Sequence, residues 1–179
     1  PIQELVDLYD SADTRKEATI FDIDAFVASR PDVTYNLGSE HTGYFNKKYI
    51  PYADDIVLPD QNINRSNNYR AIRYSDVLLM AAEANLQASV QKDNPQDLLD
   101  QIRDRAFGDE SHRITATLDN ILSERRRELA GEGLRFFDQV RTGDTNSIPG
   151  FTSNKNEVFP IPRIEIELAG NRWNQNQGY

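Results

Sequence analysis

Apolar and polar positions follow a helical period only in the middle of the chain. At about 100° per residue, Tyr74, Val77, Leu78, Ala81, Ala84 and Ala88 share one face, and Ile72, Leu79 and Leu86 form a stripe nearly opposite. Asp76, Glu83 and Gln87 interrupt this pattern, which predicts a helix over 71–90 packed between neighbours. Asn94 at an N-cap, Pro95 at the first helical position and Asp97 in the first turn announce a second helix over 95–107. Leu98, Leu99, Ile102 and Ala106 line one side of it, and Gly108 suits its end. The short connection between the two predicts an antiparallel hairpin. Thr117 caps a third helix over 118–140, with Leu118, Ile121, Leu122, Leu129, Phe136 and Val140 along one face. Gly131 and Gly133 within it predict a kink or a break.

The flanks are less regular. Residues 1–68 hold a short amphipathic start from Ile2 to Tyr9, the alternation Ile20-Phe21-Asp22-Ile23, and Pro31, Pro51 and Pro59 among turn formers. One or two short strands and long ordered loops are expected there. In residues 144–179, Val158-Phe159-Pro160-Ile161-Pro162 is predicted to be extended, because each proline disfavours helix in the residue before it. A short helix over 163–169 and a polar terminus follow. The predicted fold class is therefore mainly α: a helical hairpin plus a third helix over 69–143, a loop-rich segment over 1–68, and an extended C-terminal tail over 144–179, together one domain. The hairpin has the size of a tetratricopeptide unit, but the Trp-Leu-Gly-Tyr pattern of that repeat and a second copy are missing.

Composition narrows the function. Against 20 Lys+Arg stand 29 Asp+Glu, a net charge of −9, which argues against a nucleic-acid partner because phosphate binding needs a positive field. No run approaches the ~20 apolar residues of a membrane span, and the N-terminus shows no basic and hydrophobic signal segment. The absence of cysteine excludes disulfides, thiolate zinc sites and cysteine nucleophiles, and leaves the redox compartment open. Leu, Ile, Val and Phe number 44 of 179 residues, above the ~20% that marks disorder. The core is nonetheless thin, which suits either a loop-rich domain or a fragment whose core is completed elsewhere.

Two constellations bear on chemistry. On a continuous third helix, Glu124, Glu128, Glu132, Arg135 and Asp138 would share one face. Such carboxylates can bind metal or act as an acid/base pair for glycoside hydrolysis. They can equally form an ion-paired ridge opposite the apolar stripe, with Arg135 paired to Glu128, Glu132 and Asp138. The arginines between them and the isolation of His41 and His112 favour the ridge; no metal, cofactor or catalytic residue is expected. The loop from Tyr35 to Tyr52 offers Tyr35, Asn36, Tyr44, Asn46 and Tyr52 as glycan-binding candidates, since flat aromatic faces and amides suit sugars. The plainer reading has these tyrosines pinning a long loop to the helices.

Several stretches carry a resemblance. Tyr69-Arg70-Ala71-Ile72-Arg73-Tyr74-Ser75-Asp76-Val77-Leu78-Leu79-Met80-Ala81-Ala82-Glu83-Ala84, the charged stretch Ile121 to Arg141, Phe159-Pro160-Ile161-Pro162 with Glu165-Ile166, and the terminal Gln175-Asn176-Gln177-Gly178-Tyr179 resemble, in order, motifs of the SusD/RagB family. Gly43-Tyr44-Phe45-Asn46-Lys47-Lys48-Tyr49 and Asp13-x-Arg15 resemble two more. Gly131 stands where that family usually has Phe, and Arg172 and Gln177 where it usually has Pro. The resemblance implies a tetratricopeptide-like α fold and the C-terminal part of a longer outer-membrane lipoprotein of Bacteroidetes-type bacteria. It implies a lipid anchor outside this chain, a SusC-like TonB-dependent transporter as partner, and glycan or other nutrient capture without catalysis. The alternative it leaves is a structural α-solenoid segment that docks the transporter and contacts no ligand; a glycosidase is more distant still.

Overall fold

The structure is a computed structural model, and it describes residues 1–51, 55, 59–60, 66, 68–170 and 172–179. The chain forms two compact units, Pro1–Gly133 and Leu134–Tyr179. In the first, α1 (Gln3–Asp7) and α2 (Arg15–Thr19) lead into β1 (Ile20–Asp22) and α3 (Ile23–Ser29), and β2 (Tyr44–Asn46) pairs antiparallel with β1. The hairpin α4 (Tyr74–Gln87) and α5 (Pro95–Phe107) follows, then α6 (Leu118–Glu128). The second unit holds α7 (Arg135–Thr142) and α8 (Arg163–Leu168).

Local chemistry sets the helix ends. The Asn94 side chain accepts from Gln96 N at 3.1 Å, and that of Thr117 from Asn120 N at 3.2 Å, which caps α5 and α6. Gly108 closes α5 in the left-handed conformation, φ 80°. The first helix is shorter than its apolar pattern: Arg73 is extended and turns its guanidinium toward α6, so helix begins only at Tyr74. At its other end Asn85 Oδ1 accepts from Lys92 N and Asp93 N, and this turn replaces helix beyond Gln87.

The core of the first unit joins Leu78, Leu79 and Ala82 of α4 to Leu99 and Ile102 of α5 and Ile121 of α6. A fully buried Leu or Ile of this kind contributes ~1.5–3 kcal/mol. A second cluster of Val6, Tyr9, Ile20 and Ala130 fastens the N-terminal segment. Of the apolar stripe expected on Tyr74, Val77, Leu78, Ala81, Ala84 and Ala88, Leu78 is buried in the core, Ala81 is half-buried and the rest is exposed. Tyr74 and Val77 are exposed, whereas Ser75, Asp76 and Glu83 are buried beside Leu79. The reason is electrostatic: Arg125 of α6 donates to Asp76 Oδ1 at 2.7 Å and draws the charged side of α4 inward.

The third predicted helix is two helices. Gly131 (φ 77°) and Gly133 (φ 82°) sit in the left-handed region, and Glu128 ends α6. At Gly131 a Cβ would overlap the Asn46 side-chain amide, so any other residue would have to displace that amide as well as adopt a positive φ. Within the second unit the extended prolines are satisfied by the terminus. Gln175 accepts from Ile161 N and donates to Ile161 O, and Asn176 donates to Phe159 O. Side-chain amides thus pair a proline-rich backbone that cannot form a regular ladder.

Candidate functional site

The three glutamates of α6 and its C-terminal turn do form one row, but it faces inward. Glu124 and Glu128 are almost wholly buried and Glu132 is 8% exposed. Arg103 and Arg127 each donate to Glu124 Oε2 at 2.8 Å, and Arg15 lies 2.6 Å from Glu124 Oε1 without the alignment of a hydrogen bond. Glu128 accepts from Arg73 at Oε1, and from Arg15 and Arg105 at Oε2. Glu132 accepts from Lys48 and Arg73. Arg15 also grips Asp13, so the Asp13-x-Arg15 motif ties the N-terminal segment to α6.

Burial alone would raise the Glu128 carboxyl, but hydrogen bonds from Arg105, Arg15 and Arg73 outweigh it and hold its pKa at about 2. Burial opposes the charge on Glu124 and Glu132 as well, and Arg15, Arg127, Arg73 and Lys48 still bring both below the ordinary carboxylate value. A general acid for glycoside hydrolysis needs the opposite shift. The row is a scaffold of charge pairs. The predicted ridge does not run along one continuous helix: α6 ends at Glu128, and Arg135 and Asp138 belong to α7 of the second unit, where Arg135 pairs with Asp144 at 3.0 Å and Asp138 with Arg141.

The aromatic loop divides into scaffold and surface. Tyr44, on the inward side of β2, packs against the cluster of Val6, Tyr9, Ile20 and Ala130. Asn46 donates to Gly131 O at 3.0 Å and accepts from Lys48 N. Both help to hold the loop, and both are half-buried. Tyr52 lies outside the described residues. Tyr35 and Asn36 remain available. The Tyr35 hydroxyl hydrogen-bonds Asp24 and lies 2.9 Å from His41 Nε2, and the bond to Asp24 raises its pKa above the ordinary value. Its ring meets those of His41, at 5.3 Å, and Phe45, at 6.5 Å and nearly perpendicular. Phe45 is 42% exposed and Asn36 is exposed beside them.

The patch thus consists of Tyr35, His41 and Phe45, with Asp24 fixing the tyrosine. His41 and Phe45 were not among the expected site residues. Strand alternation is the signal for Phe45: with Tyr44 inward, its neighbour must face out. Nothing in the spacing of residues announces His41, which reaches Tyr35 only through the loop's fold.

Residues 3–150 match the SusD family. The chain belongs to that family. SusD-like protein P2 of Formosa agariphila is 30% identical over 151 residues, which cover 74% of this chain and 30% of that protein. Among solved structures, surface glycan-binding protein A from Bacteroides thetaiotaomicron aligns with a TM-score of 0.84 at 33% identity, over 98% of this chain and 40% of its own. A laminarin-binding SusD-like protein aligns at 0.81 and 39% identity, over 99% of this chain and 38% of its own. The chain therefore spans well under half the length of these SusD relatives. The SusD motifs map onto scaffold elements: Asp13-x-Arg15, Arg73, and Glu124, Arg125, Arg127 and Glu128 of α6 take part in buried ion pairs, whereas Arg126 pairs at the surface with Glu4.

Proposed function

We propose that this SusD-family chain is part of a non-catalytic glycan-binding component at the outer-membrane surface, partnered by a SusC-like TonB-dependent transporter. The supporting observation is similarity over nearly the whole chain to solved glycan-binding relatives, one of them in complex with laminarihexaose. Within the chain, the patch of Tyr35, His41 and Phe45 supplies the ring faces, and the exposed Asn36 amide supplies hydrogen bonds to sugar hydroxyls. Asp24 and His41 hold the tyrosine hydroxyl, so the platform is organised before ligand arrives.

Calorimetric titration with laminarihexaose tests this reading. Phe45→Ala leaves the buried clusters intact and should weaken binding about two- to ten-fold, the worth of one aromatic contact. Unchanged affinity would transfer the ligand contact out of this segment and favour the alternative, a structural segment that docks the transporter without touching glycan.

A further inference from the structure

A second feature of the first unit concerns charge rather than aromatic surface. Beside α2 and the turn Lys47–Tyr49 lies an open hollow of about 330 Å³. Its floor is Glu128 and Glu132, and Arg15, Lys48, Arg73 and Arg105 surround them, with Arg70 on the wall. An adjoining hollow shares Lys48 and Arg70 and adds Lys47 and Glu17. Six cationic side chains line the two hollows against three carboxylates, or five with Asp13 and Glu124 behind Arg15, a local balance of +1 in a chain whose net charge is −9. The local field is opposite in sign to that of the molecule.

Donors and acceptors are also unbalanced. All four carboxylate oxygens of Glu128 and Glu132 already accept from Arg15, Arg73, Arg105 or Lys48. The Glu128 carbonyl accepts from Lys48 and Arg73 as well. The acceptors of the floor are therefore occupied, and Arg73 and Arg15 direct their donors to them and to Asp13 and Ser75, but Arg105 and Lys48 keep donors to spare. Arg105 uses one of its five N–H groups here, and its side chain is 53% exposed. Lys48 uses two of its three. Arg70 and Lys47 make no ion pair among the described residues. Beside these donors, the rings of Tyr49 and Tyr69 stack at 5.8 Å and 24°, and Tyr69 is exposed.

Free donors with filled acceptors suit an oxyanion, and a stacked aromatic pair alongside suits a sugar ring. We propose that this hollow binds the carboxylate or sulfate of an acidic saccharide, with Arg70, Arg105 and Lys48 on the anion and the Tyr49–Tyr69 pair against the ring. The site shares no residue with the Tyr35–His41–Phe45 patch, and the proposal goes beyond the glycan reading of that patch.

The test is calorimetric titration of the chain with a galacturonic acid hexamer, a sulfated galactose hexamer and laminarihexaose. Arg70→Gln combined with Lys47→Gln provides the variant, because neither residue takes part in the buried network. At least one charged hexamer should bind the parent chain, and its affinity should fall as salt rises from ~50 to ~300 mM. In the double variant that affinity should drop about five-fold or more, while laminarihexaose affinity stays unchanged. The responding hexamer distinguishes carboxylate from sulfate. Failure of both to bind, or equal binding to the variant, overturns the proposal. Failure of laminarihexaose alone counts against the reading of the aromatic patch and leaves this one standing.

Discussion

Replacing Glu128 with Gln should cost the fold about 3 kcal/mol near pH 7, and that cost should vanish in acid. The Glu128 carboxyl holds Arg15, Arg73 and Arg105 at 2.6–3.0 Å with a side chain only 3% exposed, so solvent screening removes little. Its pKa of about 2 lies well below the ordinary 4.5. At ~1.4 kcal/mol per pH unit, that gap is worth ~3 kcal/mol. Removal of one partner from a buried pair gives a matching figure, ~3–5 kcal/mol. Because the folded pKa lies below the unfolded one, the stabilisation is complete above about pH 4.5 and is lost as pH falls toward about 2. Urea unfolding followed by circular dichroism at several pH values measures this. The gap between parent and Glu128→Gln should be widest at neutral pH and close through the acid range. A gap below ~1 kcal/mol at neutral pH, the worth of an exposed pair, or one that does not change with pH, would refute the reasoning.

Arg135→Ala should by contrast change stability by less than ~1 kcal/mol, since Arg135 and Asp144 are each about half exposed; a larger loss in the same urea assay would restore it to the buried network. Gly131→Ala should cost ~1–3 kcal/mol, because its φ of 77° disfavours a side chain and the new methyl meets the Asn46 amide. A double-mutant cycle with Asn46→Ala should show coupling between the two positions, and strict additivity would contradict the contact.

The hairpin was legible because its signals are local. Asn94, Pro95, Thr117 and Gly108 act within a few residues, and the structure places α5 at Pro95–Phe107. What failed was the rule that apolar means inside. Asp76, Glu83, Glu124 and Glu128 lie on buried faces, and periodicity places such residues outside. Their partners, Arg15, Arg73 and Arg103, come from segments 21 to 113 residues away, beyond the reach of any helical spacing. The same limit governs the aromatic patch. Tyr35 and Asn36 were found by residue type, but their separation from Tyr44 and Asn46 depends on the pairing of β2 with β1 and on the contact with Gly131.

Hydrogen exchange on the chain with and without laminarihexaose tests the central claim most directly. Glycan bound across Tyr35, His41 and Phe45 should slow exchange of backbone amides within residues 34–46 and leave α4, α5 and α6 unchanged. Protection confined to other parts of the chain, or none at all under saturating ligand, would contradict the account.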